Sequence, residues 1–424
     1  MPSAATTRLQ LHSWLYRTVV AVALLGVASG FAQFAVTASL NDVATTFGVE
    51  GVDAVGLSTT TVGIGLAIIR FASLGALPLS SVADRMGRRR VLLGATAVGL
   101  ALTVLAAATP SFWWFVAVIA AGRPLLTTAN AVGSVVVSEE TTSEHRTKAV
   151  ALAIAGYACG AGLVSVLRVP VNSMLGLEFR GLYLLAVIPL LALPLIGRLI
   201  EEPDRFVALR QAASAAPRLR ALGAVHPQLR ARLWLLVATT FAFNFVTGPV
   251  NTFLFFYAEG ELGVTRARMA GAVLAAAAIA PVGLVVGRWA ADRVGRRVAS
   301  LAPQILLAAG GVLLYSGSVT ALFVGYWIGL LAQGAYGTAF GALSTEVFPT
   351  SHRGTAQGWL AAAGVAGAVA GLLLFGTLSD VLDSYVGAAV AVGVPCALAA
   401  LGYLPLPEPR GQELEESAPE VVVP

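Results

Sequence analysis

A run of about twenty apolar residues is long enough to cross the hydrocarbon of a bilayer, and this 424-residue chain repeats such a run about a dozen times. The runs fall near residues 18–40, 56–79, 91–109, 112–137, 149–170, 179–200, 233–257, 268–291, 299–318, 320–345, 355–378 and 384–404. Backbone amides in lipid must be satisfied within their own segment, so runs of this length predict helices and exclude a barrel. Hydrophobic residues make up 57% of the chain and charged ones 12%, with a mean hydropathy of +0.81. That leaves too little polar surface for a water-soluble domain. Cys159 and Cys396 both lie inside apolar runs, so no disulfide framework is expected. Arg8 and Arg17 precede the first run, and Val36–Ala38 resembles a weak cleavage site. The run is nevertheless too long for a signal peptide and is read as a retained helix.

The net charge of +5 is a topology signal, not a nucleic-acid footprint. The 26 arginines and the single lysine fall mostly in short loops, without interleaved aromatics. Twelve spans put both termini on one side. Placing that side in the cytoplasm puts most basic residues in cytoplasmic segments, as the positive-inside rule requires. The expected fold class is therefore an all-α membrane protein of 12 transmembrane helices in two pseudo-symmetric six-helix bundles, both termini cytoplasmic. The expected domains are a bundle over 1–200, a cytoplasmic linker over 201–232 with a short amphipathic piece, a second bundle over 233–407, and a disordered tail over 408–424.

The halves repeat. Asp84-Arg85-Met86-Gly87-Arg88-Arg89 returns as Asp292-Arg293-Val294-Gly295-Arg296-Arg297. Glu139 with Arg146 returns as Glu346 with Arg353, and Glu202-Pro203 returns as Glu408-Pro409. The three motif pairs are offset by 208, 207 and 206 residues, nearly the same spacing, which points to internal duplication of a six-helix unit and hence to a transporter.

With Glu346-Val347-Phe348-Pro349 and Glu202-Pro203-Asp204-Arg205, these motifs resemble those of the major facilitator superfamily, nearest its sugar-porter and organic-solute branch. The resemblance covers nearly the whole chain and implies alternating access around a cavity lined by spans one, four, seven and ten. The chain departs from that pattern at three places. Ser80 and Arg288 stand where the loop motif usually has glycine. Gly30-Phe31-Ala32 stands where proton-coupled sugar porters have G-[FY]-D, so the first-span carboxylate is missing while the fourth-span arginine, Arg123, is present.

The acids of the loop motifs are candidates for gating, because topogenesis does not require acids. A carboxylate at Asp84 can pair with Arg88 one turn on and with a nearby helix N-terminus. The expected gating set is Asp84, Arg85, Arg88, Glu139, Arg146, Asp292, Arg293, Arg296, Glu346 and Arg353, whereas Arg89, Arg90 and Arg297 are read as topology signals alone.

Polar residues fall at helical spacing on otherwise apolar spans: Ser29, Gln33 and Thr37; Arg123, Thr127, Asn130 and Ser134; Thr240, Asn244, Thr247 and Asn251. Tyr326, Gln333 and Tyr336 follow less regularly on the tenth. Steps of three and four place each set on one face, and a polar face at membrane depth looks into protein or water. Interhelical hydrogen bonding is the bland alternative for serine and threonine. A kink or unwinding is expected at Gly248-Pro249, because proline cannot donate to the Phe245 carbonyl. Gly156/Gly160, Gly337/Gly341 and Gly367/Gly371 are read as close-packing pairs.

Arg123 and Arg70 lie near mid-span, where an arginine costs roughly 2.5–3.5 kcal/mol on insertion scales; Arg168 lies farther out. No Asp or Glu occupies the middle of a span, so Arg123, with Arg70, is the expected site for an anionic group. The expected substrate-binding set is Arg123, Arg70, Gln33, Thr127, Asn130, Asn244, Asn251 and Gln333. A coupling proton lacks a mid-membrane carrier. Glu259, Glu261 and Asp42 near the outer face, or Asp380 near the inner one, are the fallbacks.

No nucleophile, metal cluster or acid pair at depth supports an enzyme, and no cofactor or metal is expected. A receptor would carry a large extramembrane domain. The expected function is a secondary active or facilitative transporter of a small organic anion. A neutral sugar or polyol porter is the alternative, and a multidrug efflux pump is less favoured. The expected partners are that substrate and the lipid bilayer, with a monomer as the unit and no nucleic acid. The arginine-rich, lysine-poor composition points to a bacterial plasma membrane.

Overall fold

The computed structural model describes residues 13, 15–48, 57–141, 143–202 and 227–410, with some side chains inside those ranges not described. The linker reading over 203–226 and the tail beyond 410 lie outside the described residues.

Every described element is helical. In chain order they are α1 (Arg17–Ala38), α2 (Leu40–Phe47), α3 (Thr59–Ala72), α4 (Ala76–Met86), α5 (Arg88–Ala106), α6 (Phe112–Glu140), α7 (Ser143–Leu175), α8 (Glu178–Leu184) and α9 (Val187–Gly197). There follow α10 (Arg230–Thr252), α11 (Leu254–Gly260), α12 (Arg266–Arg293), α13 (Arg296–Leu314), α14 (Val319–Glu346), α15 (Thr350–Val381) and α16 (Tyr385–Ala399). Among the described residues, 12 helical stretches are long and apolar enough to cross a membrane, from Arg17–Ala38 to Tyr385–Tyr403. They match the twelve apolar runs within a few residues, except at the seventh, where Pro227–Gly260 extends farther at its start.

The chain divides into two compact units, one of Met1–Val36 with Gly75–Leu219 and one of Thr37–Leu74 with Arg220–Pro424. The second unit holds α3 because α3 packs along α15. A Cβ at Gly63 would stand 2.9 Å from the Leu372 carbonyl, and one at Gly376 would stand 2.9 Å from the Thr59 carbonyl. Asp380 at the end of α15 caps α3, its carboxylate accepting from the Thr59 and Thr60 N–H groups at 3.2 and 2.7 Å. Ser58 takes the N–H of Thr61 at 3.2 Å, so three of the helix's four orphan donors are satisfied. Asp380 therefore stands at the start of the second span. That is the outer side when the termini are cytoplasmic, which corrects the expectation that it lies near the inner face.

In each unit two helices meet backbone to backbone. A Cβ at Gly156 or Gly160 of α7 would fall 2.3 or 2.0 Å from the carbonyls of Ala23 and Val27 on α1. In the other unit Gly367 and Gly371 of α15 bear the same relation to Phe241 and Phe245 on α10, at 2.1 and 2.0 Å. Small residues allow this approach, and Cα–H groups then face carbonyls. Gly337 and Gly341 have nothing within 4 Å of an added Cβ, so they are open positions and not the close-packing pair their spacing suggested.

The helix does not break at Gly248-Pro249. Instead α10 runs through Pro249 to Thr252, and the interruption falls at Phe253, before α11 begins. The Phe245 carbonyl freed by Pro249 is the one against which Gly371 packs. The Pro249 carbonyl accepts from the Phe253 N–H at 2.9 Å and from the Tyr315 hydroxyl at 3.1 Å.

Candidate functional site

Two helix starts carry the charge clusters. At Arg88 and Arg296 the chain turns through glycines with φ of +106° at Gly87 and +118° at Gly295, a conformation open to glycine at little cost. Neither turn supplies a capping side chain of its own. Glu202 does so from a distance, accepting from the N–H groups of Arg88 and Arg89 at 2.5 and 3.1 Å. Glu408 repeats this on Arg296 and Arg297 at 2.8 and 3.1 Å. A carboxylate at a helix N-terminus satisfies orphan donors and opposes the positive end of the helix dipole.

The guanidinium groups then reach outward. Arg88 pairs with Glu139, and Arg296 pairs with Glu346 at 3.1 Å and with Asp292 at 3.2 Å. Glu139 and Glu346 are thus joined to the loop arginines of their own units. The side chains of Asp84, Arg85, Arg146 and Arg353 lie outside the described residues. Arg293 is exposed, its guanidinium 5.9 Å from the centre of the Trp289 ring. Arg89 and Arg297 do more than mark topology. Arg89 donates to the Gly197 carbonyl at 3.0 Å, and Arg297 donates to the carbonyls of Leu404 and Leu406 at 2.6 and 3.0 Å.

In the first unit α1 and α6 share a polar seam. Arg123 Nη1 donates to the backbone carbonyl of Gln33 at 3.3 Å. The Gln33 amide donates to Ser29 at 2.9 Å, and Ser29 reaches the Leu126 carbonyl at 3.5 Å. Gln33, Thr103, Gly122 and Arg123 border a cavity with room for about one water molecule. Thr127 is turned back onto its own helix, donating to the Arg123 carbonyl at 2.9 Å. Asn130 and Ser134 lie farther along α6 on a larger cavity.

In the second unit Asn251 and Gln333 exchange amide hydrogen bonds at 2.9 and 3.3 Å, tying α10 to α14. Asn244 donates to the Thr240 carbonyl at 2.9 Å and packs against Gly364. Arg70, near the end of α3, belongs to this second unit, whereas Arg123 belongs to the first. Asp42, buried in α2, pairs with Arg266 at 2.6 Å. Tyr315 is fully buried, and that burial pushes its hydroxyl well above the ordinary value. Among the described residues no group of three His, Cys, Asp or Glu is placed to hold a metal ion.

The family model for the Major Facilitator Superfamily matches residues 22–300 and 276–423. The chain belongs to that superfamily. It is a transporter of the superfamily, as its duplicated motifs implied. It is 27% identical over 375 residues to a probable 4-methylmuconolactone transporter of Cupriavidus pinatubonensis, covering 85% of each chain. It is 29% identical to a gentisate transporter of Corynebacterium glutamicum, over 75% of this chain and 74% of that one. The fold is similar to that of the inward-open xylose transporter XylE from E. coli, with a TM-score of 0.74 at 18% identity, covering 94% of this chain and 98% of that one.

Motif spacing located Glu202 and Glu408 but not their work as helix caps, since each acts on a helix start more than a hundred residues away. The Arg266 partner of Asp42 had no signal beyond the presence of a basic residue early in the eighth span.

Proposed function

We propose that this transporter carries a small organic anion across a bacterial plasma membrane, with Arg123 as the group that receives its carboxylate. The observation that carries the reading is the setting of Arg123. Its guanidinium lies near the middle of a span, bonded to a backbone carbonyl of α1 and bordering a small polar cavity. A guanidinium matches a carboxylate with two parallel charge-assisted hydrogen bonds. The names of the relatives support the same chemistry, since gentisate and cis,cis-muconate are organic acids.

We assign Gln33, Thr127 and Asn130 of the first unit, and Asn244, Asn251, Gln333 and Arg70 of the second, as further substrate-binding candidates. The paired amides of Asn251 and Gln333 each retain a free donor and acceptor after bonding one another. We assign gating to the charge clusters at Arg88–Glu139 and Arg296–Glu346, each within its own unit, and to Asp84, Arg85, Arg146, Asp292, Arg293 and Arg353, in a monomer with both termini inside.

The test is thermal stabilisation of the purified protein by organic acids, neutral sugars and cationic drugs, with Arg123→Ala alongside. Stabilisation by acids alone, lost in the variant, is the expected result. Stabilisation by sugars in both proteins would overturn the anion reading and leave Arg123 a structural charge.

A further inference from the structure

The repeat in the sequence and the packing of the helices divide the chain differently. By the motif offset, α2 and α3 belong to the first six-span half. In the fold they lie in the compact unit of the second. Polar ties hold them there. The Asp380 carboxylate at the end of α15 accepts from the Thr59 and Thr60 N–H groups at 3.2 and 2.7 Å. The Thr59 and Tyr385 hydroxyls share a hydrogen bond at 3.1 Å. Asp42 of α2 pairs with Arg266, the first residue of α12, at 2.6 Å. These ties lie at the span ends away from the Arg88 and Arg296 motifs. Alongside them Gly63 of α3 rests on the Leu372 carbonyl and Gly376 of α15 on the Thr59 carbonyl. At these two contacts glycine meets backbone, so α3 parts from α15 there without withdrawing a side chain from a socket.

The duplicated half shows what a helix start at this place requires. Ser58 caps α3, accepting from the Thr61 N–H at 3.2 Å. One repeat later, Thr265 caps α12, accepting from the Arg268 N–H at 3.4 Å. Each start is thus closed by its own hydroxyl. The Asp380 carboxylate is an addition, and it brings a charge to the positive end of α3. Its counterpart in the first half falls near Ser173, between Asn172 and Met174, where no acid stands. When Asp380 lets go, α3 keeps its hydroxyl cap and remains a helix.

We propose that Asp380 is a gating residue: its carboxylate latches α3 to α15 and keeps this face of the transporter closed. Its release lets α3 leave the second unit and opens that face. With both termini in the cytoplasm, the latched face is the outer one. Such a latch serves any solute and does not depend on Arg123.

The test is the rate of thiol labelling by a membrane-impermeant maleimide from each side of reconstituted vesicles, in a Cys159→Ser background. Thr59→Cys reports the latched face, because the Thr59 side chain is buried against Tyr385. Gly341→Cys reports the opposite face, being exposed just before Glu346 with nothing within 4 Å of an added Cβ. Asp380→Asn turns one acceptor into a donor, and Asp380→Ala removes the cap. Each should raise labelling at position 59 about fivefold, the worth of one helix cap, and lower labelling at position 341. Ser58→Ala, which removes a cap but leaves the latch, should lower the thermal midpoint without that opposed change. Unchanged labelling at position 59 in both Asp380 variants would overturn the latch. A rise at position 59 without a fall at 341, or the same opposed change in Ser58→Ala, would reduce Asp380 to a structural cap. So would Asp380 variants that fail to fold where Ser58→Ala folds.

Discussion

Glu408 accepts a hydrogen bond from the backbone N–H of Arg296 at 2.8 Å, closing a helix start from more than a hundred residues away. Glu202 holds the matching position in the other unit. Glu408→Gln keeps an acceptor but removes the charge that opposes the helix dipole, at a cost of about 0.3–1 kcal/mol. Glu408→Ala removes the cap as well and should cost about 0.5–2 kcal/mol. Gly295→Ala should cost more than the Gln variant, since its Cβ would meet Glu408 Oε2 at 2.7 Å in a left-handed turn. The thermal midpoint in detergent orders the three, and a Gln variant as damaged as the Ala variant would show that charge dominates over capping.

Glycine contacts give a second ordering. A Cβ at Gly160 or Gly371 would stand 2.0 Å from a backbone carbonyl, which cannot rotate away as a side chain can. Gly160→Ala and Gly371→Ala should therefore separate paired helices, costing about 1–3 kcal/mol or more. Gly337→Ala meets nothing within 4 Å and should be neutral or stabilising by up to about 1 kcal/mol. Yield of folded, monodisperse protein separates the two groups. Equal damage at all three positions would contradict the packing described.

The spans were legible because a bilayer imposes one length on every crossing helix, so apolar run length alone finds them. The duplication was legible because identical motifs had kept their spacing, and the Gly156/Gly160 and Gly367/Gly371 pairs because four residues return to one helix face. Gly337/Gly341 shows the limit of that reasoning: spacing identifies a face but not whether another helix covers it. The short helix α2 lies outside the apolar runs, so run length could not reveal it. Pro249 leaves α10 unbroken, and the interruption falls instead at Phe253, between Thr252 and Leu254, where no sequence signal marked it. Arg89 and Arg297 read as loop charges because their carbonyl partners are distant in sequence.

Asp42 and Arg266 form an asymmetric pair. Asp42 is 5% exposed, whereas the Arg266 side chain is 37% exposed. Arg266→Ala leaves a buried carboxylate without its guanidinium partner, a loss of up to about 3–5 kcal/mol for fully buried pairs and less here because of solvent screening. Asp42→Ala leaves an arginine able to turn toward water. The arginine variant should therefore be the less stable of the two, and the double variant should be less damaged than the sum of both. Thermal midpoints of the four proteins test this, and additivity would show that the pair does not interact.

Pro249 gives the last expectation. Its ring denies the Phe245 carbonyl a helical partner, and Gly371 packs against that same carbonyl. Pro249→Ala restores the N–H, and a regained bond to the Phe245 carbonyl contributes about 1 kcal/mol net. With the unbonded carbonyl making α10 easier to deform during transport, the variant should have a raised thermal midpoint and a severalfold slower uptake by reconstituted vesicles. The Tyr315 hydroxyl would still reach the residue-249 carbonyl, so the local fold should survive. A midpoint that falls would mean that the close packing of Gly371 on the Phe245 carbonyl needs that carbonyl unbonded, with proline fitted to it. An unchanged uptake rate would remove any role for the unbonded carbonyl in transport.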